Sequence, residues 1–160
     1  EKLQYMGSII LGLNDALVEF TGALAGFTFA LQNSRLIGLT GLIMGLSASL
    51  SMAASEYLST KSEGDERNPI KASFYTGTAY IITVFILVTP YLLIQDHYLA
   101  LIMALISAVF LILIFTFYYS MIKDIPFKKR FLEMFFLSMG VAVISFMIGL
   151  LVRKILHVDL

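Results

Sequence analysis

The sequence predicts an all-α polytopic membrane protein with five transmembrane helices. Hydrophobic residues make up 59% of the chain and charged residues only 14%, whereas about a quarter of a soluble domain is charged. A spanning helix needs about 20 mostly apolar residues. Four stretches of that length contain no Asp, Glu, Lys or Arg: 36–55, 72–95, 98–122 and 134–152. A fifth stretch, about 4–31, is long and apolar but holds Asp15 and Glu19.

Short links join these stretches, so the chain is predicted to be a single transmembrane domain over residues 1–160. We place the helices at about 4–31, 36–59, 70–94, 97–122 and 131–155. Asn68 followed by Pro69 is typical of an N-cap and a first helical residue, and predicts the start of the third helix. The link 60–69 is too short to build a folded metal-binding domain of its own.

Orientation is predicted from the distribution of Lys and Arg, which favour the cytoplasmic side. One side of the predicted bundle carries Lys2, Lys61, Arg67, Lys71, Lys123, Lys128, Lys129 and Arg130, and the other carries Arg35, Arg153 and Lys154. This excess places the N-terminus in the cytoplasm and the C-terminus outside.

Composition also excludes several classes of site. The net charge is zero, which gives no reason to expect a nucleic-acid partner, and the chain has no cysteine for a disulfide or a thiolate metal site. No phosphate-binding loop is present, and we expect no bound cofactor. The chain begins at Glu1 rather than methionine, which leaves open a domain upstream.

The two acids of the first helix are its most informative residues. Asp15 and Glu19 are four residues apart, so they share one helix face. Charged residues at this depth usually face a cavity or a partner. Small residues are predicted to share the same sector of about 100°: Ser8, Gly12, Gly22, Ala23 and Gly26.

The second helix carries a similar face, where small side chains let helix backbones approach closely in lipid. This face holds Gly38, Gly41, Gly45, Ala48, Ser49, Met52, Glu56 and Ser59. Two close carboxylates suit a divalent cation or protons. A thioether such as Met52 shifts the preference from Mg²⁺ and Ca²⁺ toward later transition metals.

Structural alternatives stay open for each of these residues. Asp15 and Glu19 can act as a polar pair that only joins helices, and Glu56 can simply reach water at the cytoplasmic end. Met52 and Met44 can be packing residues. The acidic loop Glu63, Asp65 and Glu66 is a solvated loop or, in its functional interpretation, a weak metal-collecting patch.

Two motifs resemble a known family. Residues 12–18 read GLNDALV and resemble the first helix of the vacuolar iron transporter family. Residues 51–59 read SMAASEYLS and resemble that family's second-helix signature, Ser-Met-Ala-Ala-Gly-Glu-Tyr. Gly140 and Gly149 resemble its glycine-rich last helix more loosely.

The resemblance implies a five-helix homodimer in a lipid bilayer that exchanges Fe²⁺, or Mn²⁺, for protons and moves the metal out of the cytoplasm. It assigns Asp15 as the mid-membrane carboxylate for metal and protons, Met52 as a thioether ligand and Glu56 as a group at the cytoplasmic mouth. Together with Glu19 these are the predicted metal-binding residues.

The chain departs from this family's pattern at two points, and a third feature of some relatives stays open for it. The long metal-binding insertion between the second and third helices of plant and parasite members is absent, which is typical of a compact prokaryotic member in the cell membrane. Some members carry an acid where this chain has Met44, and Glu19 is a candidate replacement. Some prokaryotic relatives have a ferritin-like domain ahead of the first helix.

Two other functional classes compete with transport. One is a membrane assembly or anchor module whose acids only fix helix pairing. The other is an intramembrane aspartyl hydrolase, which needs two catalytic aspartates. The predicted membrane interior offers only Asp15, so a hydrolase would need a dimer to supply both aspartates, and we expect no enzymatic activity.

Overall fold

The computed structural model describes residues 4–157. It contains five helices: α1 Met6–Leu31, α2 Ser34–Ser62, α3 Pro69–Leu93, α4 His97–Lys123 and α5 Phe127–Leu156. Each is long and apolar enough to cross a membrane, and no strand occurs within 4–157. The predicted fold class is confirmed.

Side-chain caps fix the start of α3 and α4. Asn68 accepts hydrogen bonds from the backbone N–H groups of Ile70 and Lys71 at 2.9 and 3.2 Å, and Pro69 is the first residue of α3. Asp96 caps α4 in the same way. These caps satisfy N–H groups that a helix leaves unpaired at its first turn. The predicted start at Asn68 and Pro69 is confirmed.

Two predicted boundaries are wrong by about one turn. The second helix was predicted to end at 59, but α2 continues to Ser62, and α5 begins at Phe127 rather than at 131. Lys and Arg are good helix formers, so a helix can continue through a run of them after it has left the hydrocarbon. The link between α2 and α3 is therefore residues 63–68, and it contains no helix. This agrees with the expectation that it forms no separate domain.

Helix α1 lies at the centre of the bundle. Its first half packs on α3 and its second half on α5. The core is built from fully or nearly fully buried side chains, including Leu17, Phe20, Leu24, Tyr80, Val84, Leu87 and Tyr91. The two acids of α1 are thus carried by a helix that contacts all four others.

The middle of α1 is a π-helical segment, Ala16–Phe20. Such a segment accommodates one residue more than an α-helical turn does, so the residues after it are rotated by about 100° relative to those before it. Gly12 accordingly meets Thr76 of α3, whereas Gly22 and Gly26 meet Ser145 of α5. The prediction of one continuous small-residue face on the first helix is therefore wrong, and these glycines do not form a free surface for a second chain.

The small face of the second helix is confirmed as a packing surface against α1 and α3. A methyl group added at Gly41 would lie 2.9 Å from Leu24 of α1, and one at Gly45 would overlap the side chain of Val84 of α3. Because these positions lack side chains, the backbone of α2 lies close to both helices.

Gly149 of α5 packs directly on the backbone of Gly26 in α1, so we expect Gly149→Ala to destabilise the bundle. A methyl group there would lie 3.0 Å from the Gly26 carbonyl carbon and 3.1 Å from its Cα, and this backbone cannot yield without moving α1. We expect a cost of about 1–3 kcal/mol, measured as a lower unfolding temperature in detergent. Gly140→Ala is the control, because nothing lies within 4 Å of an added methyl group there. Equal stability of the two variants would contradict this helix contact.

Candidate metal centre

Asp15 immediately precedes the π segment of α1 and Glu19 lies within it, and such irregular helix geometry often marks function. Their carboxyl groups are close enough to interact with each other. Asp15 is half-buried, and its Oδ2 atom is buried without a hydrogen-bond partner. Glu19 is exposed on the surface of the chain. The predicted pair is therefore formed, with one carboxylate turned inward and one turned outward.

Each acid lines its own surface groove. Asp15 and Asn14 contribute the polar groups of a groove of about 420 Å³, otherwise formed by Gly7, Ile10, Leu11 and Val18. Glu19 opens onto a groove of about 490 Å³ beside α2, which is also lined by Thr40, Ile43, Met44, Ser47, Ala48 and Ser51. This second groove offers a carboxylate, a thioether and three hydroxyl groups.

The sequence left the role of Met44 open, and the structure places it with Glu19. A carboxylate and a thioether together suit a later transition metal better than Mg²⁺ or Ca²⁺. Met52 lies two helical turns from Met44, about 12 Å along α2. It is half-buried, packs against the hydrophobic core and lines neither groove. Within one chain, Met44 is thus the methionine that shares a groove with an acid.

Glu56 is buried with intrachain partners at the end of α2, so the alternative in which it simply reaches water is wrong. Its side chain is only 8% exposed. Ser8 of α1 donates a hydrogen bond to Glu56 Oε1 at 2.5 Å, and Arg67 Nη1 lies 3.4 Å from the same oxygen. Arg67 Nη1 also donates to Ser8 Oγ at 2.9 Å. These three side chains tie α1, α2 and the 63–68 link together.

Arg67 also engages the acidic loop. Its Nε atom lies 2.6 Å from Asp65 Oδ2, and its backbone N–H donates to Asp65 Oδ1 at 3.0 Å. The backbone N–H and the guanidinium hold the pKa of Asp65 below its ordinary value. Glu63 accepts a hydrogen bond from Ser59 at 2.9 Å. Because Asp65 and Glu63 already have partners, the geometry favours a structural role over a metal-collecting patch.

Sequence reasoning missed Arg67 as a partner of Glu56, since it counted this residue only as a cytoplasmic charge. The one available signal was a single cation in a short link beside a helix that carries a buried acid. Such a signal suggests Arg67 as a candidate partner of Glu56, but it does not establish that two residues 11 positions apart are in contact.

No cluster of three or more His, Asp or Glu side chains suited to a metal forms anywhere in the described range 4–157. The Asp15–Glu19 pair and the Glu56 cluster are separate. One chain thus offers two neighbouring carboxylates and a thioether, which is fewer ligands than a divalent cation usually takes from protein and water together.

Comparison with known proteins finds a family match for the first part of the chain. Residues 6–68, which form α1, α2 and the following link, match the VIT family. The matched region contains all four predicted metal-binding residues. No curated protein matches the chain. Over its first two membrane-spanning helices, the chain is therefore confirmed to resemble the vacuolar iron transporter family, a family of membrane metal-ion transporters.

Proposed function

We propose that this protein carries Fe²⁺ or Mn²⁺ out of the cytoplasm in exchange for protons. The observation that supports this most is the Asp15–Glu19 pair on the π segment of α1, next to grooves that contain Asn14, Met44 and hydroxyl groups. Adjacent carboxylates in a poorly solvated site repel each other, so an empty site favours protons and an arriving divalent cation displaces them. Protons returning from the more acidic side then release the metal.

The proposal includes a homodimer, which the exposed position of Glu19 supports. Glu19 is exposed on the outer surface of the chain, beside apolar side chains such as Ile43, which lines the same groove and is 63% exposed. A carboxylate facing lipid costs several kcal/mol. A second copy covering this surface removes that cost and brings four carboxylates and two Met44 thioethers to one axis.

The same cycle needs no nucleotide and no resident cofactor. The proposed orientation places the Glu56–Arg67 cluster at the cytoplasmic end, with Glu56 near the mouth of the path and Met52 between it and the acids. Met52 becomes a ligand only if a partner chain or a movement of α2 turns it from the core toward the axis.

Transport is tested with the purified chain in liposomes that are acidic inside, with Fe²⁺ supplied outside without oxygen. We expect metal to accumulate inside, internal pH to rise, and both changes to stop when a protonophore collapses the gradient. Protein-free liposomes are the control. An assembly or anchor module gives no uptake beyond that control, and uptake that ignores the gradient contradicts exchange for protons.

The dimer is tested by cross-linking, because the natural chain has no cysteine. Leu11 is 42% exposed and lines the Asp15 groove, so Leu11→Cys is expected to give an oxidised dimer in the membrane. Phe110→Cys on α4, where the side chain is 62% exposed, is expected to stay monomeric. Cross-linking at position 110 and not at 11 would place the contact on another face.

A further inference from the structure

Six buried side-chain polar atoms in the described range have no hydrogen-bond partner, and two of them lie on helices that pack against each other: the Tyr80 hydroxyl of α3 and Oδ2 of Asp15 in α1. Tyr80 has 0% of its surface exposed. An unpaired buried hydroxyl costs about 1–3 kcal/mol. Serine and threonine can bond to the carbonyl one turn earlier in their own helix, but a tyrosine hydroxyl is too far from its own backbone to do so. The Tyr80 hydroxyl therefore depends on a partner outside α3.

The backbone brings Tyr80 close to the acids. At Gly12, a methyl group would meet the Thr76 carbonyl group and lie 3.3 Å from Ala79 Cβ. The turn of α3 that carries Ala79 and Tyr80 thus lies against the turn of α1 between Gly12 and Asp15. The Tyr80 ring belongs to the same core cluster as Ala16, Leu17 and Phe20 of the π segment.

Electrostatics indicates which charged groups lie within range of the buried hydroxyl. The charged side chains that act on it are those of Glu19 and Asp15. A phenol hydroxyl donates one hydrogen bond and keeps its proton at neutral pH. A neutral donor held beside two carboxylates can orient one of them without competing for the cation.

We propose that Tyr80 is a positioning residue of the metal site, whose hydroxyl is linked to the Asp15 carboxylate through one bridging water and fixes its orientation toward the ion. This assignment rests on the proposed transport function. Groups that hold a ligating carboxylate typically change metal affinity by 10–100-fold when removed. The alternative is that Tyr80 only fills space in the core.

Tyr80→Phe separates these two roles, because it removes the hydroxyl and keeps the ring. Mn²⁺ binding to the detergent-purified full chain is measured from the electron paramagnetic resonance signal of free Mn²⁺, alongside the unfolding temperature. A positioning role predicts Mn²⁺ binding weakened by about 10–100-fold with no loss of stability. A space-filling role predicts unchanged binding and equal or higher stability, since an unpaired hydroxyl has been removed, and that result would overturn the assignment.

Tyr91→Phe is the matched control on the same helix. Tyr91 is also fully buried, but its hydroxyl already shares a hydrogen bond of 2.7 Å with Thr28. We expect this variant to lose stability and to bind Mn²⁺ like the natural chain. Weakening of Mn²⁺ binding equal to that of Tyr80→Phe would overturn a specific role for Tyr80.

Asp15→Asn, measured in parallel, shows which proposal has failed. If Asp15→Asn loses Mn²⁺ binding while Tyr80→Phe retains it, the assignment of Tyr80 is overturned and the metal site stands. If Asp15→Asn binds Mn²⁺ like the natural chain, the metal site itself is overturned and the role of Tyr80 falls with it.

Discussion

Asp15→Asn is expected to abolish metal uptake while the protein stays folded. Asparagine has nearly the same size as aspartate, so packing beside the π segment is preserved, but the charge that attracts the cation is lost. A carboxylate–metal contact contributes several kcal/mol. A loss of about 3 kcal/mol corresponds to roughly a hundredfold weaker binding. Uptake by Asp15→Asn in the liposome assay should therefore fall to the protein-free background at low metal concentration.

Uptake by two further variants is compared with uptake by Asp15→Asn. Glu19→Gln should reduce uptake less, because Glu19 is exposed and lines its groove beside Met44 and hydroxyl groups that remain. Asp96→Asn makes the same chemical change at the N-cap of α4, where asparagine caps as well as aspartate does, and should transport normally. If Asp15→Asn carries Fe²⁺ at the natural rate across a proton gradient, the pair is a structural helix contact and the transport mechanism is wrong.

The five spans were predictable because each depends on a local property of the chain. Apolar runs of about 20 residues have no alternative to a membrane helix, and the caps at Asn68 and Asp96 are formed by residues two and three positions away. Helix ends that extend into the interface were less predictable. There, Lys and Arg mark the edge of the hydrocarbon but are still part of the helix. The basic run 128–130, for example, lies inside α5, which begins at Phe127.

The arrangement around α1 was less predictable, because it depends on an irregular turn. The π segment Ala16–Phe20 contains no Gly or Pro from which it could be predicted. If the helix is assumed to be regular, Gly12 and Gly22 fall on one face. The extra residue rotates them toward different neighbours, α3 and α5. The acids were correctly paired despite this, because residues four apart stay close in both helix types.

Contacts between residues distant in sequence could not be predicted at all. Tyr80 lies in a helix with no charge between residues 72 and 95, so only the fold brings it near Asp15. Likewise, Ser8 and Arg67 are 59 residues apart and share a hydrogen bond with each other and with Glu56. Each of these residues has ordinary surroundings in the sequence, and its role depends on which helix packs beside it.

Arg67→Ala is expected to cause the largest loss of stability of any single charge removal in the described chain. Glu56 is 8% exposed and would be left without its cation. Removing one partner of a buried ion pair costs about 3–5 kcal/mol, and we expect about 2–3 kcal/mol here, because Arg67 is 20% exposed and the contact is 3.4 Å long. Unfolding temperature in detergent measures the loss.

A double-mutant cycle shows whether the loss comes from the unpaired carboxylate. Glu56→Gln keeps an acceptor for Ser8 and removes the charge, so adding it to Arg67→Ala should restore most of the stability. Arg130→Ala is the matched control: Arg130 lies 3.6 Å from Glu133, which is 54% exposed, and such surface pairs contribute about 0–1 kcal/mol. If Arg67→Ala destabilises no more than Arg130→Ala, or if Glu56→Gln restores nothing, then Arg67 does not neutralise Glu56. In that case Glu56 is free to meet a cation at the proposed cytoplasmic mouth.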